Sequence, residues 1–122
     1  MSNVRPDAPI APQPAMIDGI FRALADPTRR HVLERLSERP TSVSDLAARF
    51  SMALPSFVEH LKVLEGCGLV HSRKVGRVRT YSLAPDRLRL AEDWLGTRRR
   101  LWEDRLDRMD DYLLKLKTEE NP

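Results

Sequence analysis

The 122-residue sequence has a single cysteine, Cys67. A lone thiol excludes an internal disulfide and a thiolate cage for zinc, and it suits a reducing, cytoplasmic setting. No stretch approaches the roughly 20 apolar residues of a membrane span. The N-terminus lacks the charged-then-apolar layout of a secretion signal, so no membrane partner is expected. There is no glycine-rich phosphate loop, no serine elbow and no Cys–His or paired-carboxylate arrangement. A domain this small also leaves little room for a substrate pocket. No catalytic residue, no cofactor and no enzymatic activity are therefore expected. His31 and His71 lack ligand spacing with any cysteine. Asp104, Asp107, Asp110 and Asp111 lack the glycine-bearing loop of a calcium site; no metal is expected. A charge of one sign is missing too. Charged residues make up 32% of the chain but the formal net charge is only +3. The isoelectric point near 9.4 is compatible with a polyanionic partner without requiring one.

What is present is one core and a regular order of short elements. Apolar residues form 41% of the chain, enough for a single domain. Prolines at 6, 9, 12 and 14 mark residues 1–15 as a flexible arm. Ile17, Ile20, Phe21 and Leu24 then fall on one helical stripe. Asp26-Pro27 reads as an N-cap followed by proline in the first turn of a second helix, with Val32, Leu33 and Leu36 buried; Pro40 ends it. Ser42 and Asp45 read as the capping box of a short third helix. After a tight turn, Pro55 opens a fourth helix whose core stripe is Leu54, Phe57, Leu61 and Leu64. Gly68 is placed to end it. Leu69 to Lys74 and Val78 to Leu83 read as two strands around a tip at Gly76. From Pro85 the chain is helical again. Leu88, Leu95, Trp102, Met109 and Leu116 recur every seven residues, and Leu106 and Leu113 widen the seam.

This order is mainly α with a small β-hairpin wing, a winged helix-turn-helix. It divides into an arm (1–15), a DNA-binding domain (16–84), a C-terminal dimerisation helix (85–117) and a tail (118–122). The second helix of such a pair lies in the major groove. Its outward face, opposite Leu61, carries Pro55, Ser56, Glu59 and Lys62. The hairpin carries Arg73, Lys74, Arg77 and Arg79, with no carboxylate from Cys67 to Ala84. These cations are expected to neutralise phosphates of double-stranded DNA, although edge strands also carry basic residues simply to prevent aggregation. The apolar seam of the last helix exceeds what one small domain covers. A homodimer is expected to bury Leu95, Trp102, Leu106, Met109 and Leu113 together with Ile17, Ile20 and Phe21. Two copies would present two reading helices about one DNA turn apart to a palindromic site.

The residues that carry these features also resemble a family. Ala23-Leu24-Ala25-Asp26-Pro27-Thr28-Arg29-Arg30, the stretch LPSFVEHLKVLEGCGLV and the wing GRVRTYSL are similar to the signatures of ArsR-type transcriptional repressors over about residues 16–117. The resemblance implies a dimeric winged helix joined through its first and last helices. It also implies a palindromic operator, repression and, in many relatives, an inducer. Two departures stand out. Metal-sensing members carry a cysteine pair where this chain has Thr41, Ser42, Val43 and Ser44, and the last helix has no histidine, so soft-metal sensing lacks its ligands. Many members place Gln, Ser and Arg or Lys where this chain has Leu54, Val58 and Glu59; subgroups with a similar MALPSF start make this a variant.

Blander roles compete for several residues. Cys67 reads as a small buried thiol, and His60 as a hydrogen-bonded structural histidine before a base contact. Trp94 and Trp102 read as packing residues before ligand-pocket walls, and Arg98, Arg99 and Arg100 as a solvated face. Two other functions fit the same architecture: a winged helix used as a protein-interaction module, and a sensor holding an unidentified small-molecule inducer at the dimer seam.

Overall fold

The computed structural model describes residues 12–120, which form two compact units, one ending at Ala91 and one beginning at Glu92. In the first unit, α1 (Pro12–Leu24) begins three residues before the expected start at Ala15. Prolines 12 and 14 sit in its first turn, where a missing N–H breaks no helical bond; the rest of the expected arm, residues 1–11, lies outside the described residues. Asp26 caps α2 (Pro27–Glu38), its carboxylate accepting the Arg29 amide at 3.0 Å. Ser42 caps the short α3 (Val43–Ala47) by accepting the Asp45 amide at 3.2 Å. Residues 48–53 turn into α4 (Leu54–Gly66). Gly68, at φ 79°, lets the chain leave α4 and enter the sheet.

The sheet has three antiparallel strands, β1 (Thr41–Ser42), β2 (Val70–Val75) and β3 (Val78–Leu83), in the order β1-β3-β2. The expected two-stranded hairpin is thus extended by a strand that precedes α3. Thr41 pairs with Tyr81 and Ser42 with Thr80, so β3 is central and the wing's base is tied to the helix-turn-helix.

The core gathers Ile20 and Ala23 from α1, Val32 and Leu36 from α2, Leu46 from α3, and Phe57, Leu61 and Leu64 from α4. Leu69, Val70, Tyr81 and Ala91 close it. Two expectations are corrected here. Ile20, expected at a dimer interface, is wholly buried in this core (0% exposed) and offers no surface to a second chain. Leu54, expected inside, is 54% exposed; it opens α4, one turn before the first core contact at Phe57. The compact unit also runs past the expected boundary at residue 84, because Leu90 and Ala91 of α5 (Pro85–Glu120) complete the core.

The second unit is the remainder of α5, which stays helical through Glu120; residues 118–120, expected as tail, are its last turn, and 121–122 lie outside the described residues. Local contacts line it. The Arg98 guanidinium lies 5.3 Å from the centre of the Trp94 ring, and Arg99 Nε lies 3.8 Å from Glu103 Oε1. Leu95, Trp102, Leu106, Met109 and Leu113 are each half or more exposed. Among the described residues no helix is long and apolar enough to cross a membrane.

Candidate nucleic-acid interface

Two basic or polar surfaces arise from the first unit. One is the outer face of α4. Phe57, Leu61 and Leu64 pin one side of this helix in the core, and the 100° pitch turns Pro55, Ser56, Glu59 and Lys62 to the exposed side, as expected. Ala53 supplies no side-chain cap, so the first-turn amides keep their positive end for an outside acceptor. Lys62 Nζ lies 3.4 Å from Glu59 Oε1, both side chains at least 65% exposed. A pair this open is worth little, and either partner is free to change contacts when a duplex edge arrives. Val58 is half-buried and Val63 exposed at the margins of the face.

The other surface is the wing. Gly76 occupies the first of two loop positions at φ 63°, the place where a two-residue hairpin of this kind needs glycine. Arg73, Lys74, Arg77 and Arg79 are all exposed. They do not share one face. Lys74 stands directly opposite Arg79, Arg73 is on the other face opposite Thr80, and Arg77 is at the tip. Residues 67–84 hold a formal +4, more than the +3 of the whole chain, so the rest of the molecule is net acidic. Like charges placed opposite each other on a ladder repel; the Lys74–Arg79 pair is an arrangement that an outside polyanion relieves. Val75 and Val78, paired at the tip, are 67% and 54% exposed.

A third feature escaped the sequence reading. Glu65, at the end of α4, reaches the wing's base. Ser72 Oγ donates to Glu65 Oε2 at 2.8 Å, Tyr81 Oη to Glu65 Oε1 at 3.4 Å, and Arg79 Nη1 to Ser72 Oγ at 2.8 Å. Burial, and then the Glu65 carboxylate beside it, push the Tyr81 phenol above its usual range, so it remains a donor. This chain joins the reading helix to the wing and aims Arg79. Nothing in the local spacing signals it, because its members come from three elements.

The remaining candidates are dispersed. Cys67 is half-buried and its thiol donates to the Leu64 carbonyl at 3.4 Å. Ile17 and Phe21 are half-buried on α1, Phe21 against the core. Among the described residues no group of three or more His, Cys, Asp or Glu side chains could hold a metal ion.

A family model described as a helix-turn-helix domain matches residues 24–73. The chain is 43% identical over 68 residues to the HTH-type transcriptional regulator Rv2034 of Mycobacterium tuberculosis, covering 56% of this chain and 64% of that protein, slightly under two thirds of its length. It is 29% identical over 79 residues to the transcriptional repressor SdpR of Bacillus subtilis, covering 65% of this chain and 88% of that one. The crystal structure of an ArsR family transcriptional regulator, RHA00566, is similar at a TM-score of 0.71 and 50% identity, covering 74% of this chain and 93% of that chain.

Proposed function

Since the chain belongs to the ArsR family of transcriptional regulators, we propose that it is a homodimeric, sequence-specific DNA-binding repressor of the cytoplasm, acting on a palindromic site. Pro55, Ser56, Glu59 and Lys62 of α4 read base edges in the major groove. Arg73, Lys74, Arg77 and Arg79 hold the phosphates. Ile17 and Phe21 of α1 and the exposed α5 stripe from Leu95 to Leu113 form the seam. The similarity to a named repressor supports repression: a bound dimer occludes the DNA it covers.

The observation that carries this reading is the wing, whose facing cations Lys74 and Arg79 lie in a segment without a single acid. The test is a salt titration of binding by fluorescence anisotropy, using a duplex that the chain itself selects from a random-sequence pool. Arg77→Ala with Arg79→Ala is expected to weaken binding by a similar factor across sequences and to reduce the salt slope by about 2, near one unit per lost phosphate contact. An unchanged slope would remove the wing from the interface.

A further inference from the structure

The end of α1 leaves carbonyls that no helical partner meets. Two arginines of α2 meet them: Arg29 Nε donates to Ala23 O at 2.8 Å, Arg29 Nη2 to Arg22 O at 3.0 Å, and Arg30 Nη1 to Leu24 O at 2.7 Å. The third nitrogen of the Arg29 fork points elsewhere. Its Nη1 lies 3.1 Å from Nδ1 of His60, on α4. A guanidinium has donors only and keeps its proton. The ring nitrogen facing it therefore offers a lone pair, and His60 is neutral with its proton on Nε2. Asp26 Oδ2, already the cap of α2 through the Arg29 amide, stands 3.7 Å from the same Nδ1. One planar fork thus closes α1, springs from α2 and grips α4 one residue beyond Glu59.

We infer that Arg29 and His60 are a positioning pair that sets the seat of α4 against α1, and that His60 acts on DNA only through this grip. The role rests on α4 being the reading helix, as proposed above. Because α1 also carries Ile17 and Phe21, the same grip ties the proposed dimer seam to the reading helix. Lysine at position 29 keeps the charge but loses the fork. Asparagine at position 60 places its Oδ1 where Nδ1 stands, one bond from Cγ, and restores the acceptor. Arg30 is the control, since its guanidinium caps α1 with no printed bond to α4.

The test has two arms on the full chain. Without DNA, urea unfolding of Arg29→Lys, His60→Ala and the double variant is expected to show coupling of about tenfold in the folding constant, the size of a hydrogen bond to a charged group. Arg30→Ala combined with His60→Ala is expected to be additive. Additivity of the Arg29 and His60 changes would overturn the pairing. With the duplex selected by the unmodified chain, His60→Ala is expected to weaken binding about tenfold, equally for every single-base variant of that duplex, and His60→Asn to recover most of it. A preference relaxed at one base pair, with the others kept, would make His60 a reader and overturn the positioning role. Selection of no sequence by the unmodified chain would overturn the DNA reading and the positioning role with it, while the coupling in the first arm still decides whether the grip itself exists.

Discussion

The carboxylate of Asp26 opens α2 by accepting the Arg29 amide, and that bond above all, resisted by partial burial and reinforced by nearby His60, holds its pKa below the ordinary carboxylate value. A depressed pKa stabilises the fold fully above the unfolded value, near 3.9, and the contribution is lost as pH falls through the folded value. Asp26→Ala is expected to destabilise the chain by about 1 kcal/mol at neutral pH. Urea midpoints measured from pH 7 to pH 3 should show this difference shrinking on the acid side. Asp26→Asn, which keeps an acceptor, should lose less at pH 7 and should flatten the acid dependence. A difference that stays constant down to pH 3 would mean the charge contributes nothing. The cap itself was legible in the dipeptide Asp26-Pro27. The grip of Arg29 on His60, 31 residues away, and of Glu65 on Ser72 and Tyr81 was not: periodicity reports which face a residue occupies, and is silent on which side chain from another element meets it there.

Elements were legible where their length exceeds their period. Helices α2 and α4 and both wing strands lie within a residue or two of their expected places, because each shows at least one full repeat between a cap and a breaker. The two-residue β1 has no repeat to show, and only the pairing of Thr41 with Tyr81 reveals it. Proline read as a helix breaker hid the start of α1, where the first turn accepts it. Leu54 and Ile20 were misplaced for related reasons: a stripe does not tell where a helix enters the core, nor which of its members a neighbouring element covers. The junction of α4 and β2 offers a sharper test of local geometry. Gly68 sits at φ 79°, and a Cβ there would lie 2.7 Å from Arg87 Cγ. Arg87 is itself engaged, its Nη1 on Met16 Sδ at 2.7 Å. Gly68→Ala is expected to lower stability by at least about 1 kcal/mol through the left-handed backbone alone, with the displacement of Arg87 adding to it. Thermal unfolding measures this directly; a neutral alanine would show that the turn relaxes. Gly76, open on all sides within 4 Å, should cost only the backbone part when changed.

For the whole molecule, the question is what the apolar stripe of the second unit is for. Trp102, Leu106, Met109, Leu113 and Leu116 follow the alternating four- and three-residue steps of a helical seam, and their exposure runs from 38% to 62%. So much apolar surface in water favours a partner, and a second copy supplies an identical stripe. The charge pattern agrees with a division of labour: cations are concentrated in residues 67–84, while the apolar series lies beyond Glu92, so pairing through α5 would leave the wing's cations for DNA. Trp102→Glu places a carboxylate in the middle of that seam, where it would be buried without a partner. Loss of a central tryptophan anchor alone costs about 2 kcal/mol or more, so the dimer dissociation constant is expected to rise at least about thirtyfold. Sedimentation velocity at micromolar concentration should then show monomer. The first unit closes its own core at Ala91, so circular dichroism of the variant should still report folded protein, and binding to a palindromic duplex should weaken more than binding to a single half-site. A Trp102→Glu chain that sediments as an unaltered dimer would place the seam elsewhere and leave the α5 stripe without the role argued for it.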